Sequence, residues 1–249
     1  MTRLLTAFVA LSLTFSVLAL DDQDRELLTS AANGYEQLFS KSFTVNMVSP
    51  EIAKLLQTAV AQKSQQMGFP VMIDIKHFVF SAQNGQFSTK AVLNVPDEQM
   101  RQMMESQANQ LLASSGISKA LADMTLGALA KAAAHLKDHD QLNLEKSDAN
   151  APMFSVKAPS EQLFGNLSVT RALFKVSKDS KVIPELRFDF SDKSAVWVQL
   201  RHDPITATGA TGTIQCPAMM IITQSLKIAP AGMAIPQRIN VTFSDYKFQ

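Results

Sequence analysis

The chain has 249 residues, 23 Lys and Arg against 22 Asp and Glu, a formal net charge of +1, and one cysteine. Bases scattered among acids exclude the collected cationic face that phosphate-backbone binding needs. A single cysteine excludes an intramolecular disulfide, so the fold must rest on a hydrophobic core, and 46% hydrophobic residues can supply one.

Met1 to Ala19 opens with Arg3, runs through an apolar stretch from Leu4 to Leu18 and reaches the small-residue positions Val17 and Ala19. That layout predicts a secretory signal peptide cleaved after Ala19, and a periplasmic or secreted product. The apolar run is shorter than the roughly 20 residues that span a bilayer, and Asp21, Asp22 and Asp24 follow at once. A retained membrane anchor is the alternative reading. Residues 20–249 are expected to form a single α+β domain, with no later apolar run long enough to be an integral membrane segment.

Residues 22–39 place Leu27, Ala31, Tyr35 and Leu38 on one helical face, with acids in the first turn where the helix dipole favours them. A short strand at Phe43–Met47 follows, then a helix started by Pro50 with Ile52, Leu55, Leu56 and Ala59 on its apolar side. Met72–Ser81 and Phe87–Val95 read as antiparallel strands joined at Gln83-Asn84-Gly85, a turn whose Asn-Gly pair tolerates positive φ.

Pro96 then opens a helical insertion at about 96–137, broken at Ser114-Ser115-Gly116 and resumed from Ile117 to about Leu136. It is expected to pack on a sheet, although a small helical subdomain satisfies the same pattern. Strands recur afterwards at Leu167–Ser177, Glu185–Ser191, Ala195–Arg201, Met219–Ile228 and Gln237–Phe248. In the last of these, Ile239, Val241 and Phe243 share one face, and Tyr246 and Phe248 fall on the other.

No spacing in the chain specifies a reaction. His135 and His139 stand at i and i+4, as on a metal-binding helix, but no third ligand accompanies them and two such histidines also suit a helix C-terminus. Cys216 precedes Pro217 without a thiol-enzyme signature, and Asp189, Asp192, Asp203 and Asp245 lie at strand edges or turns. The chain is therefore read as non-enzymatic, without cofactor or metal, and a hydrolase whose residues converge from distant positions is the alternative left open.

The 12 methionines are more informative. Met100, Met103 and Met104 cluster on one helix and Met124 on the next. Flexible, polarizable thioethers suit either a helix-on-sheet core or a surface that accepts variable apolar partners. If a cavity forms, Met103, Met104, Leu111, Met124 and Phe188 are its expected lining.

The stretches RALFKVSKDSKVIPELRFDFSDKSAVWVQL and PAGMAIPQRINVTFSDYKF resemble the late strands of the LolA-like lipoprotein-carrier superfamily. The resemblance covers the N-terminal helix and residues 154–249, and it rests on strand pattern, so no functional residue is carried over. It implies a curved antiparallel sheet or incomplete β-barrel covered by helices, around a cavity that takes acyl chains. The expected function is a cell-envelope protein binding a lipid or other apolar small molecule. The alternative is an interaction or structural module with a solid core, whose partner is another envelope protein.

Overall fold

Asp21 begins the first helix by accepting a hydrogen bond from the Asp24 N–H at 2.8 Å, and α1 then runs from Asp22 to Phe39. The computed structural model describes residues 20–66, 73–114, 116–157, 162–163, 167–206, 213–226 and 236–249. The expected signal peptide lies outside the described residues. Within α1, Leu27, Ala31, Tyr35 and Leu38 are buried, as their spacing predicts. Among the described residues, no helix is long and apolar enough to cross a membrane.

The fold is α+β. Strand β1 (Phe43–Val48) leads through α2 (Pro50–Gln66) to the hairpin β2 (Ile75–Gln83) and β3 (Gln86–Leu93). Asn84 and Gly85 turn that hairpin with φ of 51° and 73°, conformations for which Asn and Gly are suited. Helices α3 (Glu98–Ser114), α4 (Ile117–Met124) and α5 (Leu126–His135) follow. The remaining strands are β4 (Leu142–Lys146), β5 (Met153–Val156), β6 (Gln162–Leu163), β7 (Leu167–Lys175), β8 (Glu185–Phe190), β9 (Ala195–Thr206), β10 (Thr213–Gln224) and β11 (Arg238–Phe248).

The strands pair antiparallel in the order β3-β2-β1-β11-β10-β9-β8-β7-β5-β4, with β6 beside β7. Among the described residues no pairing joins β3 to β4, so the curved sheet stays open. β11 lies between β1 and β10, which makes the last strand of the chain an interior one.

Three details differ from the sequence reading. The second half of the helical insertion is two helices, because Thr125 leaves the helical region at φ −110°, ψ −117°. Its buried hydroxyl donates back to the Leu121 carbonyl at 2.8 Å, and Gly127 then passes so close that a Cβ would lie 2.6 Å from the Ala122 oxygen. Strand β10 begins six residues before Met219, and β9 runs to Thr206, through Pro217 and Pro204 respectively. The ladder absorbs Pro217 at a register shift between Pro217 and Met219, the kind of irregularity where a missing N–H is tolerated. Finally, the β4–β5 hairpin adds an edge that the sequence reading leaves out.

Candidate functional site: an apolar face rimmed with aromatic rings

Alternation along each strand gives the sheet one dry face. Following the cross-strand register, Ile239, Ile222, Val198, Leu186, Phe174, Phe154 and Leu144 stand side by side across seven strands. All seven are buried. Phe188 belongs to the neighbouring row, opposite Val196 and Ala172. Burying one such large side chain stabilises the fold by about 1.5–3 kcal/mol, so the dry face is the main source of cohesion.

The helices that cover this core bury large side chains, among them Leu28 and Leu38 of α1, Leu121 of α4 and Leu129 of α5, with small residues between them. Ala31 and Ala32 of α1, Ala122 of α4 and Ala128, Ala132 and Ala133 of α5 are all buried in the same core. α1 touches β10 and α5, whereas α3 and α4 touch β3.

Where the last turn of α1 meets β1, β2, β3 and β11, the core becomes aromatic. Phe39 stacks on Tyr35 at 6.3 Å between centroids and meets Phe43 at 6.4 Å and Phe87 at 6.0 Å. Phe43 also contacts Phe80, Tyr246 and Phe248 at 6.2, 5.8 and 5.7 Å. Phe43 and Phe80 are fully buried, while Phe39, Phe87, Tyr246 and Phe248 are half-buried and form the outer ring.

Tyr246 and Phe248 reach this cluster because the strand slips. Asp245 adopts φ 56°, the β1–β11 register shifts between Thr44 and Asn46, and the residues after the bulge return to the face of Phe243. This corrects the expectation that they lie on the opposite face. The bulge is held by Asn46, whose amide donates to the Asp245 carboxylate at 2.9 Å. The Tyr246 hydroxyl donates to the Pro217 carbonyl at 2.8 Å, and burial holds its pKa well above the ordinary tyrosine range.

One polar node lies under α1. The Ile183 N–H donates to the Tyr35 hydroxyl at 2.7 Å, and that hydroxyl lies 3.0 Å from His202 Nε2. Along this contact one of the two groups donates and the other accepts, according to which ring nitrogen carries the proton. Nδ1 is buried without a hydrogen-bond partner. Burial lowers the His202 pKa to about 4, against a smaller opposing pull from Asp203.

The expected cavity residues fall in three environments. Phe188 and Met124 are buried in the core, at 2% and 5% exposure. Met104 and Leu111 are half-buried against it, and Met103 stands on the open side of α3 with 57% exposure. The rim was not singled out from sequence. Its signal is the run Tyr35, Phe39, Phe43 at four-residue spacing, together with the Tyr246-x-Phe248 pair.

The residues weighed for chemistry are not assembled. α5 ends at His135, and His139 belongs to a separate 3-10 turn, 3.5 Å from the Thr29 hydroxyl, so the two imidazoles do not share one helix. Among the described residues no group of three His, Cys, Asp or Glu could hold a metal ion. Burial pushes the Cys216 thiol up to about 12, which disfavours the thiolate a nucleophile needs. Asp189, Asp203 and Asp245 engage Arg187, Arg201 and Asn46, and Asp192 accepts from the Ser194 N–H.

No family model matches the chain, and no curated protein matches it. Three solved structures are similar to it. An outer membrane lipoprotein-sorting protein domain from Vibrio parahaemolyticus has 8% identity and a TM-score of 0.41, over 91% of this chain and 93% of that one. A DUF1329 family protein from Desulfovibrio piger has 9% identity and a TM-score of 0.39, over 92% and 94%. A LolA superfamily protein from Nitrosomonas europaea, of the superfamily whose strand pattern the sequence resembles, has 10% identity and a TM-score of 0.34, over 91% and 93%.

Proposed function

We propose that this chain is a non-enzymatic cell-envelope protein that takes a lipid or another apolar ligand between the curved sheet and its helices. The observation that carries the reading is the half-buried aromatic rim, continuous with a dry face that crosses the sheet. Rings that are half wet lose their remaining water contact when an alkyl chain lies across them, at about 0.8 kcal/mol per methylene buried. Phe39, Phe87, Tyr246 and Phe248 supply such a surface at one end of α1.

Met104, Leu111, Met124 and Phe188 are then lining candidates along the interior path, and Met103 marks its outer end. Titration with a fluorescent fatty acid tests the reading. Phe39→Glu is expected to weaken uptake at least about tenfold while leaving the circular dichroism spectrum unchanged, since a half-buried position tolerates a charge that a core position does not. Uptake that is absent in the wild type, or unchanged in the variant, contradicts it.

A second reading is a protein-binding module with a solid core. Its support is the tight interior: Phe78, Phe80, Phe154 and Phe174 are at most 1% exposed. The two readings part at Met104→Asp. Loss of ligand with retained folding supports the binding path, and global unfolding supports solid packing.

A further inference from the structure

A second, polar recess lies beside α1, between that helix, the loop joining β7 to β8 and the start of β10. It measures about 90 Å³ and is lined by Ser30 and Gly34 of α1, Ser180 and Lys181 of the loop, and Thr213 and Gln215 of β10, with Tyr35 at its inner wall. Among the described residues the lining carries one cation, Lys181, and no carboxylate. Its remaining polar groups are hydroxyls and amides, which can all donate to an oxygen acceptor.

Two positions in this recess run against local preference. Gly34 sits in the interior of an 18-residue helix, where glycine is disfavoured, yet a Cβ there would meet nothing within 4 Å. No packing contact requires the glycine, and its effect is to open the recess to the helix backbone. Lys181 holds φ at 54°, a conformation that non-glycine residues seldom adopt. Its N–H is tied to the Ser177 carbonyl at 3.0 Å, and Ser177 N–H to the Val182 carbonyl at 2.9 Å, so the turn fixes where the lysine stands. Strain of this kind is retained where the surroundings give it a use.

We propose that this recess receives an oxyanion, a carboxylate or phosphate, as the head of the amphipathic ligand whose chain lies on the aromatic rim; this rests on the function proposed above. Tyr35 joins the two parts. Its ring stacks on Phe39 of the rim, and the same residue forms the inner wall of the recess. A volume of about 90 Å³ is too small for a whole lipid, for which pockets of about 300–1,000 Å³ are usual, but it suits a head group of a few oxygens. The Lys181 ammonium supplies the charge-assisted hydrogen bond, and Ser30, Ser180 and Thr213 supply neutral donors.

The test compares palmitate and palmitoyl lysophosphatidate with monopalmitoyl glycerol, which carries the same chain on a neutral head, by calorimetry on the delipidated protein. The anionic ligands are expected to bind at least about tenfold more tightly, the worth of one hydrogen bond to a charged group. Lys181→Asn keeps a residue that tolerates positive φ and should abolish the preference while leaving the neutral ligand unchanged. Gly34→Met should do the same by filling the recess. Equal binding of all three ligands, indifferent to Lys181, overturns the head-group site and leaves the apolar reading standing. Failure of every amphiphile overturns the apolar reading instead. In that case Lys181-dependent binding of inorganic phosphate would uphold the recess as a site for a free anion, and its absence would overturn the recess as well.

Discussion

The two helical covers of this sheet are attached in different ways. α3 and α4 are bonded to the backbone of the edge strand β3 as if they were another strand. Glu105 accepts from the Leu93 N–H, the Asn109 amide both accepts from and donates to Ala91, and the Ser118 hydroxyl does the same with Thr89. Three side chains thus satisfy alternate residues of an edge that would otherwise template aggregation. α1, by contrast, is held by apolar packing and one buried polar node, Tyr35. Its further polar ties include the exposed pair Glu36–Lys137 and the 3.5 Å approach of Thr29 to His139. An exposed ion pair contributes little, ~0–1 kcal/mol. One cover is part of the sheet, and the other rests on it. A ligand that enters beneath a helix has less to break under α1.

The comparison can be broken most severely by creating edges that neither cover reaches. Deleting residues 238–249 removes β11 from between β1 and β10, and the expected result is no soluble folded protein by circular dichroism and size exclusion. A stable truncated chain would contradict the sheet order. Next in size is the double variant Asn109→Ala, Ser118→Ala. It leaves the backbone groups of Thr89 and Ala91 without partners, at about 1–3 kcal/mol for each one that stays out of water. Urea denaturation should show a loss of about 2–4 kcal/mol, with increased aggregation, whereas Lys137→Ala on the α1 side should change stability by less than about 0.5 kcal/mol.

The third test concerns the node under α1. His202 has its folded-state pKa depressed to about 4, below the ordinary value of 6.5, chiefly by burial. Between those values the unfolded chain binds the proton more readily, so the contribution of neutral His202 is full above about pH 6.5 and is lost as pH falls toward 4. Protonation also makes both ring nitrogens donors, with Nε2 facing a Tyr35 hydroxyl that already accepts from the Ile183 N–H. The protection of residues 22–39 against hydrogen exchange, taken relative to the intrinsic rate at each pH, should therefore fall on acidification across this window, more than that of α3, and His202→Gln should flatten the response. Equal acid sensitivity of the two covers would erase the distinction. The smallest effect is expected at Gly34→Ala, which should raise stability by about 0.5–1 kcal/mol in thermal melts, because the added methyl meets open space in a helix interior.

Periodicity made much of this legible. Leu27, Ala31, Tyr35 and Leu38 on α1, and Leu186, Phe188 and Phe190 on β8, are buried as their 3.6- and 2-residue spacings require. What the pattern could not carry were its interruptions. Pro204 and Pro217 look like strand breakers in a one-dimensional reading, but the register shift beside Pro217 accommodates the missing donor. Asp245 looks like one more polar residue in an alternating strand, yet its positive φ reverses the parity of everything after it. That single inversion moves Tyr246 and Phe248 to the face of Phe43, and so the aromatic rim was invisible to alternation. Thr125 hides its helix break in the same way, because its buried hydroxyl bonds to its own preceding turn. The side-chain caps on β3 are contacts across 12 to 29 residues of sequence, which local pattern does not encode.

The central claim is that an apolar ligand occupies the space between the rim and the dry face, and it is tested most directly by what the purified protein carries. Protein prepared without detergent, extracted with organic solvent and analysed by mass spectrometry, should release a lipid in near-stoichiometric amount, and the Phe39→Glu variant should release markedly less. Repeated extraction that yields no lipid, from protein that also fails to take up fluorescent fatty acid, would contradict the account.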